Sequence, residues 1–140
     1  MFQRNFKVNG EDVNDFMVMQ NFAYLKYSSK ILEVFLLEKG FSKLKLNAME
    51  ITWQKSNEKL IKKSNLMFMQ NFTVNLHFDY NQNNDAETKI YILFYNSENT
   101  LIAEIQTTIN FIDCNSWEFI KMPKQIAKHF SSNEVYLEVG

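Results

Sequence analysis

One stretch with helical spacing, MVMQNFAYLKYSSKILEVFLLEKG, stands in a chain whose other apolar segments mostly alternate like strands. A fold with a single long helix must lay that helix on a sheet, because neither element can bury its apolar face alone. Tyr24, Tyr27, Ile31, Val34 and Phe35 recur at helical intervals, with Lys26, Lys30 and Glu33 on another side. Leu25, Leu32 and Leu36 widen the apolar sector, so the helix predicted over about residues 18–39 is covered almost all round. Gly40, directly after Lys39, is a C-terminal stop. The polar segment from Asn9 to Asp15 contains Gly10 and reads as a loop with three candidate helix caps, Asp12, Asn14 and Asp15.

Phe2, Arg4, Phe6 and Val8 alternate as a short first strand. After the helix, Ile51 and Trp53 share one face of residues 49–56, and residues 60–69 form a less regular strand. Val74, Leu76, Phe78 and Tyr80 alternate with Thr73, Asn75, His77 and Asp79, the period of a sheet with one covered face. A turn at QNNDAE leads into KIYILFYN, which is apolar on both faces and therefore central. TLIAEIQTTINFID is a long β-branched strand, CNSWE a turn, MPKQIAKHF a short helix starting near Pro123, and EVYLEV a last strand. The class is α+β: an antiparallel sheet of five to six strands with one long helix.

At 140 residues the chain fits one domain, residues 1–140. Thirteen Phe, six Tyr and two Trp supply more large side chains than one such layer covers, which predicts a homo-oligomer. Fifteen Lys and Arg against sixteen Asp and Glu leave no basic stripe for a phosphate backbone, so no nucleic-acid partner is expected. No apolar run approaches the roughly 18 residues of a membrane span, and the N-terminus turns polar too early for a signal peptide. Cys114 stands alone, without a disulfide partner or a paired-cysteine zinc site. A soluble cytoplasmic protein is expected. With three Gly and seventeen Asn, many turn positions fall to Asn.

The segment NGEDVNDFMVMQNFAYLKYSSKILEVFLLEKGFS resembles the first loop and central helix of hotdog-fold acyl-CoA thioesterases, nearest to the 4-hydroxybenzoyl-CoA and Tol-Pal-associated groups. Their pattern is roughly D-x-D-x-x-G-h-h-x-N-x-x-Y-L-x-Y, where h is apolar or His. Asp12, Asn21 or the adjacent Gln20, Tyr24, Leu25, Tyr27 and Gly40 fit it. NTLIAEIQTTINFIDCNSWEFIKMPKQIAKHF is similar to the family's last long strand and Pro-led helix. The resemblance implies a hotdog sheet around the helix, homodimers joined edge to edge, and pairing of these into homotetramers. It also implies cleavage of an acyl-CoA or acyl-carrier-protein thioester by an activated water, with no cofactor beyond the coenzyme A of the substrate. Sites in such proteins lie at the dimer interface.

Carried over by position, the pattern's second aspartate falls on Asn14, its glycine on Met17, and the glutamate that many members carry on the helix on Ser29. Asn21 falls where a backbone N–H polarises the thioester carbonyl. An amide cannot accept a proton at neutral pH, so Asn14 orients a water or donates a hydrogen bond. Asp15, one place along, is either a carboxylate for the site or a helix cap. Met17, Val18 and Met19 either line an acyl channel or pack in the core. Ser29 either holds a water near the site or lets the helix approach the sheet; Tyr24 belongs to the same substrate-side surface. Lys62, Lys63, Lys121, Lys124 and Lys128 are cations that could meet the phosphates of coenzyme A, or plain solvated surface. The alternative to a hydrolase is a non-catalytic hotdog protein that binds acyl chains or serves as a structural partner.

Overall fold

The structure is a computed structural model and describes residues 2–79 and 87–130. Its elements are β1 (Phe2–Lys7), a short 3-10 turn (Gly10–Asp12), α1 (Asn21–Glu38), α2 (Lys43–Ala48), β2 (Ile51–Lys62), β3 (Asn71–Asp79), β4 (Glu87–Asn96), β5 (Leu101–Asp113), β6 (Phe119–Ile120) and α3 (Lys124–Phe130). The strands form one antiparallel sheet in the order β1-β3-β4-β5-β2, with β6 adding a short piece to β5. KIYILFYN, expected to be central, lies in β4 in the middle of that order. The QNNDAE turn and the EVYLEV strand lie outside the described residues.

The sheet holds α1 against one face, the hotdog arrangement. Ala23, Tyr24, Tyr27, Ser28, Ile31, Leu32, Phe35 and Leu36 are the buried positions of α1, a stripe repeating every three to four residues. Aromatic edges meet across the layer: Tyr24 with Phe94, Tyr27 with Phe72, and Phe35 with Phe78, at centroid separations of 5.2, 5.0 and 4.9 Å. Phe130 of α3 closes the far end against Phe78 at 4.4 Å. Each such side chain contributes about 2 kcal/mol of burial, so the layer holds α1 more firmly than its own helix propensity does.

Three expectations change. The helix starts at Asn21 rather than near residue 18, because Val18 and Met19 are drawn into bridges with Met67 and Val13. Residues 43–48 form α2, a single-turn helix capped by the Ser42 hydroxyl, which accepts from Lys45 N at 3.1 Å. The strand read over 49–56 runs on to Lys62, past a register shift between Ser56 and Lys59 where Asn57 turns left-handed (φ 56). Two residues of β2 thereby oppose one of β5, a β-bulge that resets which side chains face α1.

The two ends of α1 differ. At the C-terminus Gly40 is left-handed (φ 95), Gly40 N donates to Leu37 O at 3.0 Å, and Phe41 N donates to Leu36 O at 2.8 Å. That closure satisfies the last carbonyls, with Phe41 buried beside Leu36. At the N-terminus the cap residue, Gln20, makes no side-chain cap bond, and the first turn carries no acid. No helix among the described residues is long and apolar enough to cross a membrane.

Candidate active site

The loop leading into α1 is a small hairpin stapled to the segment before β3. Asn14 N donates to Val18 O at 3.0 Å, Met19 N to Leu66 O at 2.8 Å, and Phe68 N to Met17 O at 2.8 Å. A three-residue hairpin loop of this kind needs a left-handed residue at its third position. Met17 occupies that position with φ 64. The physical reason for glycine at the matching place in the family pattern is therefore present here, and Met17 bears a cost of about 1 kcal/mol for its side chain. Met17 is 51% exposed and turns outward rather than filling the space in front of the helix.

Asn14 is taken up by the loop itself. Its Oδ1 accepts from Phe16 N at 2.9 Å and from Val18 N at 3.1 Å, which leaves only the Nδ2 donors to offer. Asp15 is exposed at the hairpin tip, five residues before the helix cap. Neither it, Asp12 nor Asn14 caps α1, because the hairpin intervenes and hands that position to Gln20.

Asp12 serves a different purpose. It is fully buried, accepts from Tyr27 OH at 2.6 Å and from Asn9 N at 3.0 Å, and is paired with Lys26. Gln20 N in turn donates to Asp12 O at 2.9 Å. Burial pushes the Asp12 carboxyl upward, but the bonds from Lys26, Tyr27 and Asn9 and the lysine charge together hold it below its ordinary value. Burial first, then the Asp12 carboxylate, pushes the Tyr27 phenol well above its ordinary value, so it remains a donor. This network fixes the loop to α1, and its carboxylate is too enclosed to reach a substrate.

The start of α1 is where the groups converge. The N–H groups of Asn21 and Phe22 take no acceptor among the described residues, and Ala23 N donates to Gln20 O at 3.0 Å. Free donors at a helix start carry partial positive charge, and no first-turn acid offsets it. Phe16, Met17, Phe22, Met67, Phe68 and Met69 are exposed apolar side chains on this first turn and the two stapled segments beside it. Val18 is half-buried, and Met19 alone of the loop trio is in the core. Tyr24 is fully buried beneath α1 and offers no surface to a ligand.

Ser29 is half-buried, while its neighbour Ser28 is fully buried and accepts from Lys55 Nζ at 3.3 Å. Lys62 lies against the Tyr24 ring, 5.8 Å from its centroid. A groove of about 340 Å³ on the other flank of α1 is lined by Phe6, Lys7, Asn9, Lys26, Tyr27 and Lys30, a cation cluster the linear sequence did not single out. Its lysines come from β1 and α1, so only the packing of those elements brings them together. The Asp12 network did leave a trace in the sequence, since Asn9 and Asp12 have the spacing of a local capping pair.

No protein-family model and no curated protein matches the chain. Solved structures do. A Staphylococcus aureus protein in complex with CoA superposes with a TM-score of 0.86 at 19% identity, over 97% of this chain and 87% of that one. The 1,4-dihydroxy-2-naphthoyl-CoA thioesterase of Synechocystis gives a TM-score of 0.84 at 13% identity, over 94% and 96%. A gentisyl-coenzyme A thioesterase gives 0.78 at 16%, over 89% and 98%. At such identities the likeness is one of architecture: the chain has the hotdog fold that these structures share.

Proposed function

We propose that the chain binds acyl thioesters of coenzyme A and hydrolyses them at the start of α1. The observation that carries this reading is the pair of unpaired N–H groups on Asn21 and Phe22, at a helix start with no capping side chain and no acid, bordered by exposed apolar side chains. A thioester carbonyl set on those donors has its developing negative charge stabilised as water adds to carbon. Attack by water forms the new C–O bond, collapse of the tetrahedral intermediate breaks C–S, and the thiolate leaves to be protonated. The apolar fringe receives the acyl group. The hotdog structures solved with coenzyme A or named as CoA thioesterases support this substrate class. The outer position and twelve-residue length of β2 support pairing of two copies edge to edge.

A second reading, a hotdog protein that holds acyl-CoA without cleaving it, is favoured by one observation: Asn14 Oδ1 is consumed within its loop. Free-thiol release from short, long and aromatic acyl-CoAs, run beside equilibrium binding of the same compounds, separates the two. Turnover above the protein-free blank is expected for at least one of them. Binding without turnover selects the second reading, and neither binding nor turnover would remove both.

A further inference from the structure

Hydrolysis at the start of α1 needs a group to take a proton from water. The exposed carboxylates of the loop serve elsewhere: Asp15 lies at the hairpin tip, five residues before the helix cap, and Glu11 pairs with Lys26 at 3.7 Å. Asn14 is an amide, and the Asp12 carboxylate is fully buried and fully bonded. On the opposite flank of α1 lies an acid held in an unusual way. Lys55, on β2, has a side chain only 9% exposed, and its ammonium makes three bonds: to Leu25 O at 3.3 Å, to Ser28 Oγ at 3.3 Å and to Glu58 Oε2 at 2.7 Å. One ammonium thus ties the second turn of α1 to a carboxylate from the sheet.

The β-bulge is what brings Glu58 there. Lys55 lies opposite Ile109, on the helix side of the sheet, and alternation would turn Glu58 to the other side. The register shift after Ser56, with Asn57 left-handed, puts an extra residue into β2 and returns Glu58 to the face that carries Lys55. Thr107 Oγ1 donates to Ser56 O at 2.9 Å and Asn110 Nδ2 to Ser56 Oγ at 2.9 Å, so the strand is pinned just before the bulge. Glu58 keeps a side-chain exposure of 26%, enough to meet water while Lys55 holds its other side.

Lys55 meets α1 four to seven residues beyond Asn21, about 6–10 Å along the helix axis. From there β2 runs back toward the helix start, since Lys62 lies 5.8 Å from the Tyr24 ring, with Glu58 between the two lysines. A carbonyl on the helix-start donors, an attacking water and a carboxylate in line span roughly 8 Å. We infer that Glu58, positioned by Lys55 through the bulge, is the general base of the thioester hydrolysis proposed above. Its carboxylate takes a proton from water as the water oxygen bonds to the carbonyl carbon. The C=O pair moves onto oxygen, against the Asn21 and Phe22 N–H groups. When that pair returns and the C–S bond breaks, the protonated Glu58 gives its proton to the departing thiolate, and acid and thiol are the balanced products. A base carried on a bulged strand explains how Asn14 and Ser29 can both lack a carboxylate in an active protein.

The inference rests on the hydrolase reading, and kinetics on the full chain tests the two separately. Using the acyl-CoA that the wild type turns over fastest, Glu58→Gln is expected to lower kcat by about 10²–10⁴ with KM little changed, and to remove the acidic limb of the pH–rate profile. Glu58→Asp should recover part of the rate. Because Glu58→Gln leaves Lys55 without its charged partner, the double variant Lys55→Met/Glu58→Leu removes both charges together and guards against a folding artefact. It should fold with wild-type far-UV circular dichroism and be as inactive as Glu58→Gln. An active wild type with an unchanged rate and pH profile in Glu58→Gln, or an active folded double variant, overturns the role of Glu58 and leaves the hydrolase reading standing. A wild type without turnover overturns both.

Discussion

The two ends of α1 are built to opposite purposes. At the C-terminus a left-handed Gly40, two return hydrogen bonds and the buried Phe41 close the helix. At the N-terminus Gln20 caps nothing, the first turn holds no acid, and two N–H groups stay open beside apolar side chains. A helix in this setting gains about 1 kcal/mol from a Ser, Asp or Asn cap, so the open end forgoes stability that is available by a single substitution. On the function proposed above, the unfinished end is where a ligand supplies the missing acceptor, and the finished end shows that the chain can close a helix where none is needed.

Substitutions can break this contrast. The largest effect is expected from Asn21→Pro. Gln20 has φ -87 and ψ 160, values suited to a residue before proline, and proline is favoured at the first helical position. The variant should keep its Tm yet lose about 10²–10³ in kcat, because one oxyanion donor is gone. An unchanged rate would show that the open end is not the carbonyl site. Asn14→Asp is next. Its Oδ1 can keep the bonds from Phe16 N and Val18 N while a carboxylate oxygen replaces the amide nitrogen, so thiol release should rise by up to about a hundredfold.

Asp12→Asn tests the latch that presents the open end. Loss of a buried, charge-assisted network should cost about 2 kcal/mol at neutral pH in chemical denaturation. Since the folded carboxyl lies below its ordinary value of 3.8, its contribution is complete above that pH and fades as pH falls through the folded value. The wild type and Asp12→Asn should therefore converge in stability below pH 3.8 and differ by a constant amount above it. A gap that widens in acid would contradict this assignment.

The smallest effects compare the ends directly. A Cβ added at Gly40 meets nothing within 4 Å, so Gly40→Ala is expected to cost about 1 kcal/mol through backbone conformation alone, with activity unaltered. Gln20→Asp should do the reverse. It caps and charges the open end, raises stability by about 0.5–1 kcal/mol and lowers turnover. Thermal melts paired with the thiol assay read both. If Gln20→Asp proves neutral in rate, the field at the helix start is not part of the chemistry.

Much of the fold was legible because it depends on local periodicity. Gly40 marked the end of α1, the alternation from Thr73 to Asp79 marked β3, and the two-sided apolarity of KIYILFYN placed β4 inside the sheet. The misreadings come from partners distant in sequence. Val18 and Met19 look like the first turn of a helix until Met67 and Leu66 draw them into the hairpin. Asp12, Asn14 and Asp15 all look like caps, but the three-residue loop moves the helix start away from them. The family pattern put Asn21 at the helix start, and Asn21 is the first residue of α1; the backbone role proposed for it depends on the helix rather than on its side chain. The placement of Glu58 beside Lys55 was not readable, because period-two counting fails at a bulge whose existence depends on the pairing of β2 with β5.

The left-handed backbone at Met17 has company. Glu50, Asn57, Met69, Asn99 and Trp117 also have positive φ, in a chain with only three glycines. The two asparagines tolerate this well, whereas Met17, Glu50, Met69 and Trp117 each hold a conformation that their Cβ resists. The fold has been kept while the residue type best suited to its tightest turns has largely been withheld. Such a protein has evolutionary headroom: its sharpest corners are sites where mutation can strengthen the scaffold without rearranging it.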